Sequence, residues 1–298
     1  MNFIDRIKKN NYGLVKENED LKNYNSYKVS GKVTAVIYPY TINDLKDLIK
    51  VLRDEKVKYK VVGRGSNLIF SNDCYDGVLI RLDNLDELVI RDNEITVGSG
   101  YSLMKLSLKT ARLGLTGLEF ASGIPGSIGG SIYMNAGAYK SDMGYVVRSI
   151  RVLTDKLEIK TMYNHELDFH YRTSFLQKHP DYICLNATIV LKHGNKNDIT
   201  DLIVDRRKRR IETQPLDKPS AGSVFRNPEG YFSGALIEQI GYKGKKIGDA
   251  MVSDKHANFI INAGNAKGSD IKKLIFDIQE KVLKEKGIKL KVEQEFVE

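Results

Sequence analysis

Residues 122–139 read SGIPGSIGGSIYMNAGAY, and the reading of this stretch decides the fold. Gly123, Gly126, Gly129, Gly130 and Gly137 crowd into fifteen residues inside a region with strand and helix signals on both sides, so they belong to a folded element and not to a linker. Glycines so spaced let a flat or phosphorylated ligand lie close against backbone. Roughly sixty residues earlier, after the strand-like KYKVVG, stands Gly63-Arg64-Gly65-Ser66-Asn67-Leu68. Its successive N–H groups can point at one anion, and Ser66 and Asn67 add further donors. A plain turn would use the same residues as this first loop; the two loops together predict a dinucleotide held between two small α+β lobes.

The surrounding segments carry strand and helix periods. VTAVIYP (33–39) is β-branched and predicts a strand. Thr41 with Asp44 forms a capping signature for a helix whose Leu45, Leu48, Ile49 and Leu52 share one face, and KYKVVG (58–63) completes a β-α-β unit. A strand is expected over 77–82, then a hairpin over 88–97 turning at Asp92-Asn93. Ser102 would cap a helix carrying Leu103, Leu106 and Leu108, and strands return at 148–154, 157–162 and 182–192. A helix around 198–212 has Ile199, Leu202 and Ile203 inward. Pro215, Pro219, Gly222 and Pro228 then fall within fourteen residues, a change in composition that predicts a boundary and three domains, 1–83, 84–203 and 204–298. The last domain closes with a helix capped by Ser269, striped by Ile271, Leu274, Ile275, Ile278 and Val282 and stopped at Gly287. In the final strand, IKLKVEQEFV, Ile288, Leu290, Val292 and Phe296 share one face while Glu293 and Glu295 point to the other.

Composition excludes several classes. Of 298 residues, 41% are hydrophobic and 29% charged, which suits a folded chain with a sizeable core and not a disordered one. No apolar run approaches the roughly 20 residues needed to span a bilayer, and MNFIDRIKKNNYG lacks a signal-peptide core, so a cytoplasmic protein without membrane insertion is expected. Cys74 and Cys184 fit a reducing compartment. The net charge of +9 divides into +4 over residues 1–203 and +5 over 204–298, a mild and dispersed excess that suits an anionic ligand as well as a nucleic acid.

Several signatures break on inspection. Gly63-Arg64-Gly65 opens a dinucleotide fingerprint whose third glycine position is Leu68, no GK[ST] occurs, and His165-Glu166 lacks the second histidine of a zinc-protease helix, the position being Phe169. No metal site is expected. Arg206–Arg210 reads RRKRR, but it continues a helix with an apolar face and has no interleaved aromatics, so a solvated face is expected and no nucleic-acid partner. Tyr171-Arg172-Thr173-Ser174 offers a planar guanidinium for a carboxylate or phosphate, and Ala221-Gly222-Ser223-Val224-Phe225-Arg226-Asn227-Pro228 holds Ser223 on a turn. By themselves Ser223 reads as a turn or capping hydroxyl and Glu293 as a solvated edge-strand carboxylate.

The two glycine loops, YRTSF, AGSVFRNP and GYKGKKIGDAMVSDKHANFIIN (241–262) occur in one order that resembles the UDP-N-acetylenolpyruvoylglucosamine reductase (MurB) family, over about Asn25 to Glu293. The glycine loops alone imply only the wider group of flavoproteins with this fold; the AGSVFRNP and SDKHANFIIN segments are particular to the reductase. MNAGAY and the short third domain resemble the family's second type, which lacks an inserted substrate loop. The resemblance implies an α+β fold of the MurB/vanillyl-alcohol-oxidase kind: FAD-binding lobes over 1–83 and 84–203 and a smaller substrate-binding domain over 204–298, whose terminal strand can return toward the flavin.

The implied reaction is a step of peptidoglycan precursor synthesis. NADPH gives hydride to FAD, which passes it to the vinyl carbon of UDP-N-acetylglucosamine enolpyruvate to yield UDP-N-acetylmuramate. Ser223 matches the family's proton donor, and Arg172 and Glu293 match the pair that stabilises the enolate-like intermediate. Gly63, Arg64, Gly65, Ser66, Asn67 and Leu68, with Gly123, Ile124, Pro125, Gly126, Ser127, Gly129, Gly130, Asn135, Gly137 and Ala138, match the cofactor-binding loops. Arg210, Asn227 and His256 match substrate contacts, while Thr213 stands where some relatives carry lysine. No His or Cys stands in a flavin-attachment context, so the FAD is expected to be non-covalent. A sugar oxidase of the same fold and an RNA-binding protein using RRKRR are the rival readings.

Overall fold

A computed structural model describes residues 2–298. It is an α+β structure in two compact units. One comprises Met1–Glu17, Ala35–Gly63 and Gly77–Lys208, the other Asn18–Thr34, Arg64–Asp76 and Arg209–Glu298. No helix among the described residues is long and apolar enough to cross a membrane.

Among the described residues the first unit holds two large cores and a small cluster of Ala111, Ile199 and Ile203. In one, Thr41 Oγ1 accepts the Asp44 N–H at 3.1 Å and starts the helix Ile42–Asp54. Leu45, Leu48, Ile49 and Leu52 of that helix are buried with Ala35, Ile37, Val78 and Ile80, because the i, i+3, i+4 spacing puts them on one stripe. The sheet beneath is ordered Leu14–Asp20, Lys32–Tyr38, Cys74–Arg81, Tyr59–Val62. The two strands of the predicted β-α-β unit are therefore not neighbours: Cys74–Arg81 lies between them, parallel to Tyr59–Val62. Periodicity reveals which residues form strands but not which strands pair.

The other core is covered by a five-stranded sheet ordered Ile159–Tyr163, Val147–Leu153, Ile183–Val190, Glu94–Gly98, Leu88–Arg91. The pairing of Arg91 with Glu94 puts the two-residue turn at Asp92-Asn93, as the sequence predicts, with Asp92 at φ +54°. Ser102 caps the helix Leu103–Arg112, which buries Leu103 and Leu106 but leaves Leu108 exposed; Ser107, Thr110 and Ala111 complete the inward face instead. The helix Lys196–Thr213 buries Ile199 and Ile203 while Leu202 is exposed, contrary to the reading of all three as inward. A spacing of three from Ile199 lands Leu202 at the rim of so narrow a stripe.

The second unit is built around the helix Gly268–Lys286, whose Ile271, Leu274, Ile275, Ile278 and Val282 are all buried. Gly287 ends it in the left-handed conformation expected of a C-terminal glycine. The helix starts one residue before Ser269, so Ser269 is not its cap; the Asp270 side chain accepts the Lys267 N–H instead. An antiparallel sheet of Lys246–Ile247, Ala250–Val252 and Ile260–Asn262 shares this core with the helix Ser233–Gln239. The terminal strand is regular only over Glu295–Val297, parallel to Leu68–Phe70.

Candidate active site

The first glycine loop is held from below by the chain around Asn25. Gly65 sits at φ +67°, where a Cβ would run into the Tyr24 carbonyl oxygen, and the Ser26 N–H donates to the Gly65 carbonyl at 3.1 Å. Arg64 is exposed and Ser66 is half-buried. Asn67 Nδ2 donates to the Glu293 carbonyl at 3.2 Å, and the Asn67 carbonyl accepts the Glu295 N–H at 2.9 Å. Leu68 opens the strand that Glu295 pairs with. The loop and the end of the chain, more than two hundred residues apart, are thus joined within the second unit.

Gly63, in the first unit, meets the second glycine tract there. A Cβ on it would stand 2.5 Å from Ser127 Oγ, the hydroxyl that caps the short helix Ile128–Tyr133. Around this point Gly129 lies on Ser99, its N–H donating to the Ser99 carbonyl at 2.9 Å, and a Cβ on Gly126 would stand 2.7 Å from Ser131 Oγ. Gly123, Ile124 and Gly126 are half-buried, and Pro125 and Gly130 are exposed. The Ser99 and Ser131 hydroxyls are buried without hydrogen-bond partners, a cost that native structures avoid unless something else bonds there. These glycines let the backbone close onto the serines, and the two hydroxyls left there without partners fit an oxygen-rich ligand such as FAD.

Asn135 is fully buried at φ +42°. Its Nδ2 donates to the His170 carbonyl at 2.8 Å and its Oδ1 accepts the Gly144 N–H at 3.0 Å. It therefore ties the glycine tract to the tight turn His170–Thr173. Gly137 and Ala138 pair with Asp142 and Ser141. The turn carries Arg172 at φ +56°; its Nη2 donates to the Gly137 carbonyl at 2.7 Å, and its own carbonyl accepts from Gln177 Nε2 at 3.0 Å. The guanidinium and the glycine tract are thus adjacent. Gln177 was not singled out from the sequence, because an exposed-looking glutamine two residues into a short helix has no pattern that marks it.

The Ser223 turn lies in the second unit. Gly222 takes φ +76°, and the chain then enters two backbone partnerships. The Val224 N–H donates to the Asn258 carbonyl at 2.9 Å, and the Val224 carbonyl accepts the Glu293 N–H at 2.8 Å. Asn258, nearly fully buried, brackets Phe225: Oδ1 accepts the Phe225 N–H at 3.0 Å and Nδ2 donates to its carbonyl at 2.8 Å. Ser223 and Glu293 therefore stand on neighbouring backbone, both half-buried. Between Glu293 and Glu295, Gln294 is 4% exposed, and its amide reaches the carbonyls of Ala221, Gly222 and Ser223. Its signal in the sequence was parity: position 294 falls on the apolar face of the terminal alternation, where a polar side chain needs buried partners.

Of the residues matched to substrate contacts, Asn227 is exposed and its Oδ1 accepts the Ser233 N–H at 3.0 Å, at the start of the helix Ser233–Gln239. Arg210 is half-buried near the end of the helix Lys196–Thr213. Its neighbour in the run, Arg206, lies over the Tyr139 ring at 4.7 Å while its carbonyl accepts the Tyr139 hydroxyl at 3.1 Å, and Arg207, Lys208 and Arg209 are exposed. His256 packs against Phe259, ring centroids 4.8 Å apart, and its Nδ1 accepts the Asn258 N–H at 3.2 Å, which leaves Nε2 as the donor. Burial holds its pKa below the ordinary value, helped by Lys243 and opposed by its own backbone hydrogen bond and by Glu238. A neutral imidazole there offers a hydrogen bond and not a charge.

Two family models match. The UDP-N-acetylenolpyruvoylglucosamine reductase C-terminal domain covers residues 214–297 and the FAD binding domain residues 33–162. The UDP-N-acetylenolpyruvoylglucosamine reductase of Anoxybacillus flavithermus is 43% identical over 288 residues, 96% of this chain and 95% of its own length. That of Bacillus subtilis is 39% identical over 295 residues, 99% and 97% respectively. Among solved structures, UDP-N-acetylenolpyruvylglucosamine reductase from Thermus caldophilus superposes with a TM-score of 0.82 at 32% identity, covering 96% of this chain and all of that one.

Proposed function

The chain belongs to the UDP-N-acetylenolpyruvoylglucosamine reductase family, and from that premise we propose that it uses NADPH to reduce UDP-N-acetylglucosamine enolpyruvate to UDP-N-acetylmuramate, with Ser223 delivering the proton. It is an FAD-dependent oxidoreductase of peptidoglycan synthesis with the family's α+β FAD-binding fold. Within this reading residues 1–83 and 84–203 serve the cofactor and 204–298 the sugar nucleotide. Bound FAD, held without a covalent link, supplies the two-electron relay between nicotinamide and double bond. Gly63, the Arg64–Leu68 loop and the tract from Gly123 to Ala138 would hold it, with Ser99 and Ser131 offering the hydroxyls that lack partners.

The remaining chemistry belongs to side chains. Addition of hydride to the vinyl end pushes negative charge onto the carbon bearing the carboxylate and onto its oxygens. Arg172, preorganised by Gly137 and Gln177, stabilises that charge without having to reorganise. The Ser223 hydroxyl then protonates the carbon. A serine is a weak acid, so its use demands a short, fixed reach, and Glu293 acts with Arg172 on the charge distribution of the intermediate. Arg210, Asn227 and the His256 Nε2–H bind the sugar nucleotide.

The observation that supports this reading best is the bond from the Glu293 N–H to the Val224 carbonyl, which makes neighbours of two motif residues seventy positions apart. The test separates the half-reactions. In Ser223→Ala, anaerobic NADPH should bleach the flavin band at the normal rate, while return of the band on adding the enolpyruvyl sugar nucleotide should slow by a factor of about 100 or more, the scale of a lost general acid. Equal loss in both half-reactions would remove the proton-donor role.

A further inference from the structure

The Gly222 turn stands beside buried Ala221 and Val224 but is open on the side its Cβ would face. No atom lies within 4 Å of where a Gly222 Cβ would stand, and φ there is +76°. From Val224 onward the chain is held by backbone partners and Ser223 makes an isolated antiparallel bridge with Phe259; the carbonyls of Ala221, Gly222 and Ser223 all face one side chain. Gln294 Nε2 lies 3.0 Å from the Ala221 oxygen, 3.1 Å from that of Gly222 and 3.4 Å from that of Ser223. Carbonyls only accept, so the amide nitrogen must face them and the amide oxygen must face the other way. There the Tyr27 hydroxyl donates to Gln294 Oε1 at 2.9 Å. Tyr27 is fully buried, and its own carbonyl accepts Asn262 Nδ2 at 2.9 Å. Burial raises the Tyr27 phenol well above its ordinary value, the Gln294 bond offsetting only part of that, so the hydroxyl stays a donor; a flipped amide would set its oxygen against the carbonyls and leave that donor without an acceptor.

We propose that Gln294 is a positioning residue for Ser223: its amide clamps the turn that aims the Ser223 hydroxyl, and the Tyr27 hydroxyl sets the direction of the clamp. The proposal rests on the reading of Ser223 as proton donor. Gln294 touches no reacting atom; its two N–H groups fix the Ala221 and Gly222 peptide units, one of them shared with the more distant Ser223 oxygen, and rotation of those units would swing the hydroxyl. Displacements of about 1 Å at a reacting group cost on the order of 100-fold in rate, so the clamp belongs to the protonation step and not to flavin reduction.

Gln294→Met keeps the length of the side chain and removes both bonding functions. Stopped-flow traces should show flavin reduction by NADPH within about twofold of wild type, while reoxidation by the enolpyruvyl sugar nucleotide slows about 10- to 100-fold with a larger solvent deuterium isotope effect. Tyr27→Phe leaves the donors but frees the amide, and should slow the same step by a smaller factor. The double variant should be no slower than Gln294→Met and melt no lower, since the pair acts as one unit. Should Gln294→Met fail to fold, Tyr27→Phe, which lacks a single oxygen, carries the test. If Ser223→Ala blocks reoxidation and neither clamp variant slows it, the clamp is overturned alone. A parallel fall in both half-reactions overturns it as well, as the mark of general damage. If Ser223→Ala itself reoxidises normally, the proton-donor reading falls and takes the clamp with it.

Discussion

At the scale of single residues, two glycines show how differently one residue type is used. Gly65 combines φ +67° with a backbone oxygen where its Cβ would stand, whereas Gly222 has φ +76° and open space. Gly65→Ala should therefore lower the free energy of unfolding by about 3 kcal/mol or more, since backbone must move. Gly222→Ala should cost only the left-handed conformation, about 1 kcal/mol. Urea denaturation of both variants checks the difference, and equal losses would mean that the Gly65 loop relaxes freely. Arg172 takes the left-handed region although it is not a glycine; that strain is borne because side chain and carbonyl are both bonded. The sequence marks all three residues through motifs, and at Gly65 and Gly222 a plain turn would use the same residues.

Among elements, those with a strong period were legible. The helices Ile42–Asp54 and Gly268–Lys286 bury the stripes read from their spacing, because a 3.6-residue repeat has one solution. Where the stripe is short, as in Leu103–Arg112 and Lys196–Thr213, Leu108 and Leu202 fell outside it. The terminal segment was legible in parity and not in regularity: Leu290 and Gln294 are buried, yet paired strand begins only at Glu295. That segment bonds the Ser223 turn directly, and the loop carrying Asn258 holds the turn's other edge; Asn258 stands within the SDKHANFIIN segment, but no pattern marked its side chain as a buried bracket. Asn258→Ala leaves the Phe225 N–H and carbonyl buried without those partners, so unfolding free energy should fall by about 2–4 kcal/mol. A loss under about 0.5 kcal/mol in calorimetry would mean that water or rearranged backbone takes over both bonds.

For the whole molecule, acid stability provides a further test. His256 has a folded pKa below its ordinary 6.5, chiefly through burial. Above about 6.5 both folded and unfolded forms are neutral there and its contribution is whole. As pH falls the unfolded chain takes up the proton first, so stability declines and the contribution is lost through the lower folded pKa. His256→Asn should flatten the decline in denaturation midpoint between about pH 7 and 5 relative to wild type; an unchanged slope would assign it to other groups. The +9 charge is split between the chain's two parts in the sequence and is compatible with anionic ligands, but it did not single out a function. What the sequence by itself determined is the class of fold, the strong helices and the motifs that carry the chemistry, because periodicity and glycine spacing are local properties. Strand order, the insertion of Cys74–Arg81 between two consecutive strands, and the partners of Ser223 were decided only by the tertiary structure. Pairing and buried hydrogen bonds join residues hundreds of positions apart, and nothing local in the chain records which buried donor will find which acceptor.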